Sequence, residues 1–93
     1  MTTEVRASHI LVKTQEEALD LLNEIKSGKD FALVAEENSM CPSGMNGGDL
    51  GFFGKGVMVK PFEDAAFSLE LGEISQPVET QFGWHLIQLT GKN

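Results

Sequence analysis

The chain is poor in cysteine, in basic charge and in uninterrupted hydrophobic sequence. With one cysteine, Cys41, no intramolecular disulfide can form. Packing alone must then hold the fold, and a reducing compartment, the cytoplasm, is expected. Seven basic residues stand against 14 acidic ones, a formal net charge of -7. That balance opposes loose association with nucleic acid or anionic lipid and weakly favours basic or neutral partners. Nowhere does an apolar run approach the ~18 residues that a membrane span needs. The start, Met1-Thr2-Thr3-Glu4-Val5-Arg6, lacks the apolar core of a secretory leader, so a soluble chain with no membrane span is expected. A second domain does not fit in 93 residues, and no repeat, linker or low-complexity tract interrupts them; residues 1–93 read as one domain.

Hydrophobic residues make up 41% of the chain, enough for a core, and six of its ten glycines fall between Ser39 and Phe62 together with Cys41. Glycine tolerates positive φ and close backbone approach, and clustering it lowers stability unless the shape has a use. A site built around one thiol and a glycine-rich hairpin around a satisfied core cysteine are both compatible with that composition.

Residues Val5 to Val12 alternate as a strand, with Val5, Ala7, His9 and Leu11 on one face and Arg6, Ser8, Ile10 and Val12 on the other. Thr14-Gln15-Glu16-Glu17 has the capping-box pattern, and Ala18, Leu21, Leu22 and Ile25 continue at helical spacing until Gly28. Asp30 can cap a shorter helix with Phe31, Val34 and Ala35 inward, running out near Asn38 and Ser39. A third helix opens at Pro61 and carries Phe62, Ala65, Ala66 and Phe67. Pro77 enters an extended segment, Val78 to Thr80, and Gln81-Phe82-Gly83 connects it to a last strand from Trp84 to Thr90. On that strand His85, Ile87 and Leu89 share a face. The element order favours an antiparallel or mixed sheet with helices packed against it.

His9, Cys41, Ser43, Thr80 and His85 form the candidate polar set. A cysteine nucleophile would need a histidine base and an oxyanion hole, and no carboxylate or amide is evidently placed to orient the base. A zinc site would want closely spaced ligand pairs, whereas one cysteine and two histidines lie far apart in the chain. The third reading is noncovalent: thiol, imidazoles and Thr80 hydroxyl as a hydrogen-bonded floor under Leu50, Met58 and Phe62. Inward-facing histidines and a cysteine form such a network whether or not it has a function.

Five blocks in order, Ser8 to Lys13, Cys41-Pro42-Ser43-Gly44, Gly47-Gly48-Asp49-Leu50-Gly51, Met58 to Phe67 and Thr80 to Ile87, carry a resemblance over nearly the whole chain. The sequence resembles the parvulin family of peptidyl-prolyl cis/trans isomerases. The resemblance implies an α+β, FKBP-like parvulin fold: a four-stranded antiparallel sheet surrounded by about four helices, the fourth a short turn after Asp30 or near Ser68. It also implies that His9 and His85 pair at the centre of the sheet, that Cys41 faces the prolyl bond, and that Thr80 joins the histidine network. Leu50, Met58 and Phe62 would form the proline pocket with Phe82 at its edge. Similar family members carry Asp where Cys41 stands, which suits a polar role better than an obligatory nucleophile. No cofactor and no metal are implied.

Phosphate-directed parvulins have adjacent arginines after the first strand, where this chain reads Lys13-Thr14-Gln15-Glu16-Glu17. No phosphate requirement is therefore expected. Val57 stands where a glutamine is common and Lys60 where a proline is common, so the rim departs from the family more than the floor. The implied partners are proline-containing peptides and unfolded or flexible protein segments. A monomer is expected, since no long apolar heptad or dimer strand is exposed. A peptide-binding or chaperone-like module with little catalysis is the alternative.

Overall fold

The computed structural model describes residues 3–93; Met1 and Thr2 of the expected 1–93 domain lie outside the described residues. Four strands, β1 (Glu4–Val12), β2 (Asp49–Gly54), β3 (Val78–Thr80) and β4 (Gly83–Lys92), form one sheet in the order β2-β1-β4-β3, and every pairing is antiparallel. Three α-helices, α1 (Gln15–Lys26), α2 (Phe31–Asn38) and α3 (Lys60–Ser68), flank it. The short fourth helix is a 3₁₀ turn at Pro42–Asn46, in the glycine-rich stretch rather than after Asp30 or near Ser68. Proline fixes its first turn, and Gly47 ends it at φ 68°.

Capping chemistry sets the helix starts. The Glu17 amide donates to Thr14 Oγ1 at 3.1 Å, and the Leu33 amide to Asp30 Oδ2 at 3.4 Å. Alternation along the central strands then divides the core in two. Ile10, Val12 and Leu86 face α1 and α2, where Ala18, Leu21, Leu22, Phe31, Val34 and Ala35 cover them. Val5, Ala7, Ile87 and Leu89 face the other way, onto Phe53 of β2 and onto Phe62, Ala66 and Leu69 in and after α3.

His9 and His85 belong to this second face. A nine-residue helix is only ~13 Å long, so α3 covers part of that face and stops at the histidines. Beyond Ser8, β2 no longer pairs with β1. The segment Ser39 to Cys41 takes its place: Ser39 Oγ accepts from the Leu11 amide at 3.1 Å, and the Met40 amide donates to the Leu11 carbonyl at 2.8 Å. Cys41 is carried to the histidines in this way. At the other end of the sheet the Thr3 amide donates to the Asn93 carbonyl at 2.8 Å, and the Asn93 amide to the Glu4 carbonyl at 2.9 Å.

Candidate active site

Two buried imidazoles lie at the centre of the sheet because β1 and β4 each place one histidine on the α3 side. Their rings stack at 5.2 Å between centroids and 18° between planes, with Nδ1 of His9 3.0 Å from Nδ1 of His85. A hydrogen bond at that distance needs one N–H and one bare nitrogen. Burial supplies the condition. It pushes His85 down to about 4, and it does the same to His9, with repulsion from His85 as a second cause. Both rings are therefore neutral at pH 7.

From this pair the polar contacts run outward in both directions. His85 Nε2 is 2.7 Å from Thr80 Oγ1, which also accepts the Phe82 amide at 3.1 Å. His9 Nε2 is 3.1 Å from Ser43 Oγ, and the Ser43 hydroxyl donates to Cys41 Sγ at 3.3 Å. One assignment of protons satisfies every link: Phe82 N–H to Thr80, Thr80 O–H to His85, His85 N–H to His9, His9 N–H to Ser43, Ser43 O–H to Cys41. The thiol proton is then left free to point into the space above.

That space is a hollow of about 500 Å³, walled by His9, His85, Cys41, Leu50, Met58, Phe62 and Phe82, and also by Leu11, Met40, Pro42, Val57 and Val59. Phe62 stands edge-on to both imidazoles, at 5.4 and 5.3 Å between centroids, so aromatic packing as well as burial fixes the ring pair. Seven of the eight residues to which the parvulin resemblance gives a site role line this one hollow. Thr80 sits behind His85 and reaches the site through it.

Ser43 belongs to the candidate polar set read from sequence, and the fold gives it a place; Glu63 and Lys55 carry no role in that reading. Ser43 links the thiol to the histidines, so Cys41 and His9 meet through a shared hydroxyl rather than as a nucleophile and base. Glu63, only 7% exposed, accepts the Gly56 amide and so anchors the loop after β2 that brings Val57, Met58 and Val59 to the hollow. Lys55, at the start of that loop, lies 5.5 Å over the Phe67 ring. Asp49, inside the glycine motif, works structurally: the Arg6 guanidinium grips it at 3.1 and 2.7 Å and holds its carboxyl below the usual range. Among the described residues no three His, Cys, Asp or Glu side chains converge as a metal site, and no helix is long and apolar enough to cross a membrane.

Neutral stacked imidazoles beneath an apolar hollow, on a β2-β1-β4-β3 antiparallel sheet, define a parvulin-type isomerase domain. Residues 7–91 match the family described as Rotamase: PPIC-type PPIASE domain. The chain belongs to this family of peptidyl-prolyl cis/trans isomerases. It is 52% identical over 90 residues to the foldase protein PrsA of Halalkalibacterium halodurans, covering 96% of this chain and 27% of that protein. The crystal structure of a peptidylprolyl isomerase, PrsA, from Bacillus anthracis superimposes with a TM-score of 0.97 at 42% identity, over 99% of this chain and 43% of that one. The solution structure of the parvulin of Nitrosopumilus maritimus gives 0.88 at 47% identity, over 98% of this chain and 99% of that one. The chain spans 27% to 32% of the length of the first curated relatives it matches.

Proposed function

We propose that this chain works as a single domain that isomerises X-Pro bonds noncovalently, in peptides and in unfolded or flexible protein segments, and so assists folding. The observation that carries the reading is the neutral His9–His85 pair, bonded to Thr80 on one side and through Ser43 to Cys41 on the other, directly under an apolar hollow.

Resonance sets the X-Pro barrier at ~18–20 kcal/mol, and the uncatalysed bond turns over in tens to hundreds of seconds. Twisting makes the nitrogen pyramidal and strips the carbonyl of amide character, so the twisted bond is less hydrated than the planar one. A greasy hollow that grips the prolyl ring and excludes water therefore favours the twist. Each ~1.4 kcal/mol of preferential binding is worth tenfold, so a thousandfold acceleration asks only ~4 kcal/mol of the whole site. In this account Leu50, Met58 and Phe62 hold the ring, Phe82 closes the edge, and Cys41 faces the bond. His9, His85 and Thr80 fix the polarity of the floor. No cofactor enters the account.

Three further features support the details. The sole arginine, Arg6, is committed to Asp49, so no guanidinium is free to clamp a phosphate before proline. The edge strands are short, six residues in β2 and three in β3, which favours a monomer. A reducing cytoplasm suits the half-buried Cys41 thiol, which must stay unoxidised to accept the Ser43 proton.

Exchange spectroscopy on a proline peptide tests the proposal. Catalytic amounts of the domain should broaden and exchange the cis and trans resonances. Saturable binding without exchange would instead make it a peptide-binding module.

A further inference from the structure

Arg6 and Ser8 alternate with Val5, Ala7 and His9 along β1, so they face away from the histidines, onto the α1–α2 side of the sheet. The helices cover Ile10, Val12 and Leu86 there and leave a groove beyond them. It consists of two hollows, of about 430 and 260 Å³, that meet at Ser8, Ala32 and Gly47. The larger falls within the ~300–1,000 Å³ range of small-molecule sites. Neither hollow shares a residue with the one over the histidines.

Ser8 is only 8% exposed, yet among the described residues its hydroxyl bonds to no protein group, and the area it keeps opens into both hollows. No fully enclosed polar side-chain atom among those residues lacks a partner, so a hydroxyl like this one points to what enters the groove. Gln88, directly across from Ser8 on β4, and Asn46 and Thr90 farther along also keep their side-chain polar groups unspent. The charges on these walls are engaged within the protein. Arg6 grips Asp49, Lys29 Nζ lies 3.0 Å from Glu24, and Asp30 accepts the Leu33 amide. An ionic ligand would have to break such pairs, so the open donors and acceptors suit a neutral one.

Phe52 supplies a second kind of contact. It stands opposite Arg6 on β2, and Arg6 stands opposite Gly91 on β4. A Cβ at Gly91 would come 3.0 Å from Phe52 Cζ and 3.3 Å from Cε1, so the ring lies down across the sheet over the space that glycine leaves. Its outer face is open at the Arg6 end of the groove, and Phe52 is 46% exposed.

We propose that this groove on the back of the sheet is a second binding site and takes a neutral carbohydrate of one or two sugar units. A sugar offers C–H groups that pack on the negative face of an aromatic ring, and hydroxyls that both donate and accept. Ser8, Gln88, Asn46 and Thr90 answer both roles, and Arg6 keeps the rest of its five N–H donors outside its two bonds to Asp49. A polypeptide strand would instead need a free sheet edge, and β1 and β4 are each paired on both sides.

Backbone amide shifts of the isotope-labelled chain, titrated with cellobiose and with the disaccharide of N-acetylglucosamine, test this. At least one of the two should shift Ser8, Asn46, Phe52 and Gln88 saturably at millimolar concentration while leaving Met58 and Phe62 in place. Phe52→Ala should weaken that binding about fivefold and Ser8→Ala about threefold. Without sugar, Ser8→Ala should hold or raise the thermal midpoint, because the hydroxyl has no protein partner to lose; a fall of several degrees would reveal a structural bond and overturn the site. No saturable shift with either sugar, or binding that both variants leave unchanged, overturns it as well. Equal shifts with the proline-free peptide Ser-Gly-Asn-Gln would make the groove a peptide site and overturn the carbohydrate assignment.

Discussion

At the scale of single residues the site depends on two imidazoles staying uncharged. Both have folded pKa values near 4 against an unfolded 6.5, so between those limits the unfolded chain binds more protons than the folded one. Stability is then flat above about pH 6.5 and falls as the pH drops through the window toward 4. Thermal midpoints measured from pH 7.5 to 4.5 should show this decline, and a His9→Phe, His85→Phe double variant should lose part of it. A wild-type curve with no fall across that window would mean that the rings ionise freely. The thiol is the more replaceable member. Cys41→Asp presents a carboxylate that can accept the Ser43 hydroxyl as the sulfur does, so it should retain measurable exchange activity. Complete loss in a folded variant would favour chemistry at sulfur.

At the scale of elements, the loop between β2 and α3 is held from the helix it precedes. Glu63→Ala removes the acceptor for the Gly56 amide, which should cost about 1–2 kcal/mol of stability and raise KM several-fold with a smaller change in kcat. Glu63→Gln keeps a carbonyl acceptor and should restore most of the KM; equal damage in both variants would assign the effect to charge instead. Gly48 holds the opposite side. Its φ is 84°, and a Cβ would collide with the His9 carbonyl oxygen. Gly48→Ala should therefore cost ~2–4 kcal/mol, read as a drop of roughly 10 °C or more in the thermal midpoint.

The histidines and Glu63 differ in how far sequence exposes them. Alternation in β1 and β4 places His9 and His85 on one face, and the spacing of Ala18, Leu21, Leu22 and Phe31, Val34, Ala35 identifies the buried helix faces, because burial imposes those periods. Cys41 and Thr80 join the histidines as further candidates for a buried polar network, and the resemblance to parvulins assigns their roles. Glu63 has no such signature. A carboxylate in the first turn of a helix reads as solvent-facing and dipole-stabilised, and only the fold brings the Gly56 amide to it. Ser39 is hidden for the same reason: its hydroxyl replaces a strand partner for Leu11, a pairing without periodicity. The 3₁₀ turn at Pro42–Asn46 reads as a plain turn, since proline, serine and glycine favour both.

At the scale of the whole molecule, the site face and the helical back face have separate cores divided by the sheet. A second hollow of about 430 Å³ opens on the back, lined in part by Ser8, Lys29 and Gln88, and carries none of the histidine network. Both faces nevertheless hang from the same central pair of strands, β1 and β4, whose register runs unbroken from Ala7 to Val12.

The first and last described residues meet at one end of that central pair, joined by the Thr3, Glu4 and Asn93 backbone bonds. Tension applied through residues 3 and 93 would thus act along the inter-strand bonds and tear them one after another, as a zipper opens, rather than loading them together in shear. The domain should yield to mechanical pulling at low force despite an ordinary melting temperature. Optical-tweezer traces with handles at residues 3 and 93 would register early rupture. Moving one handle to Val12, so that the load runs along the strand, should raise the rupture force.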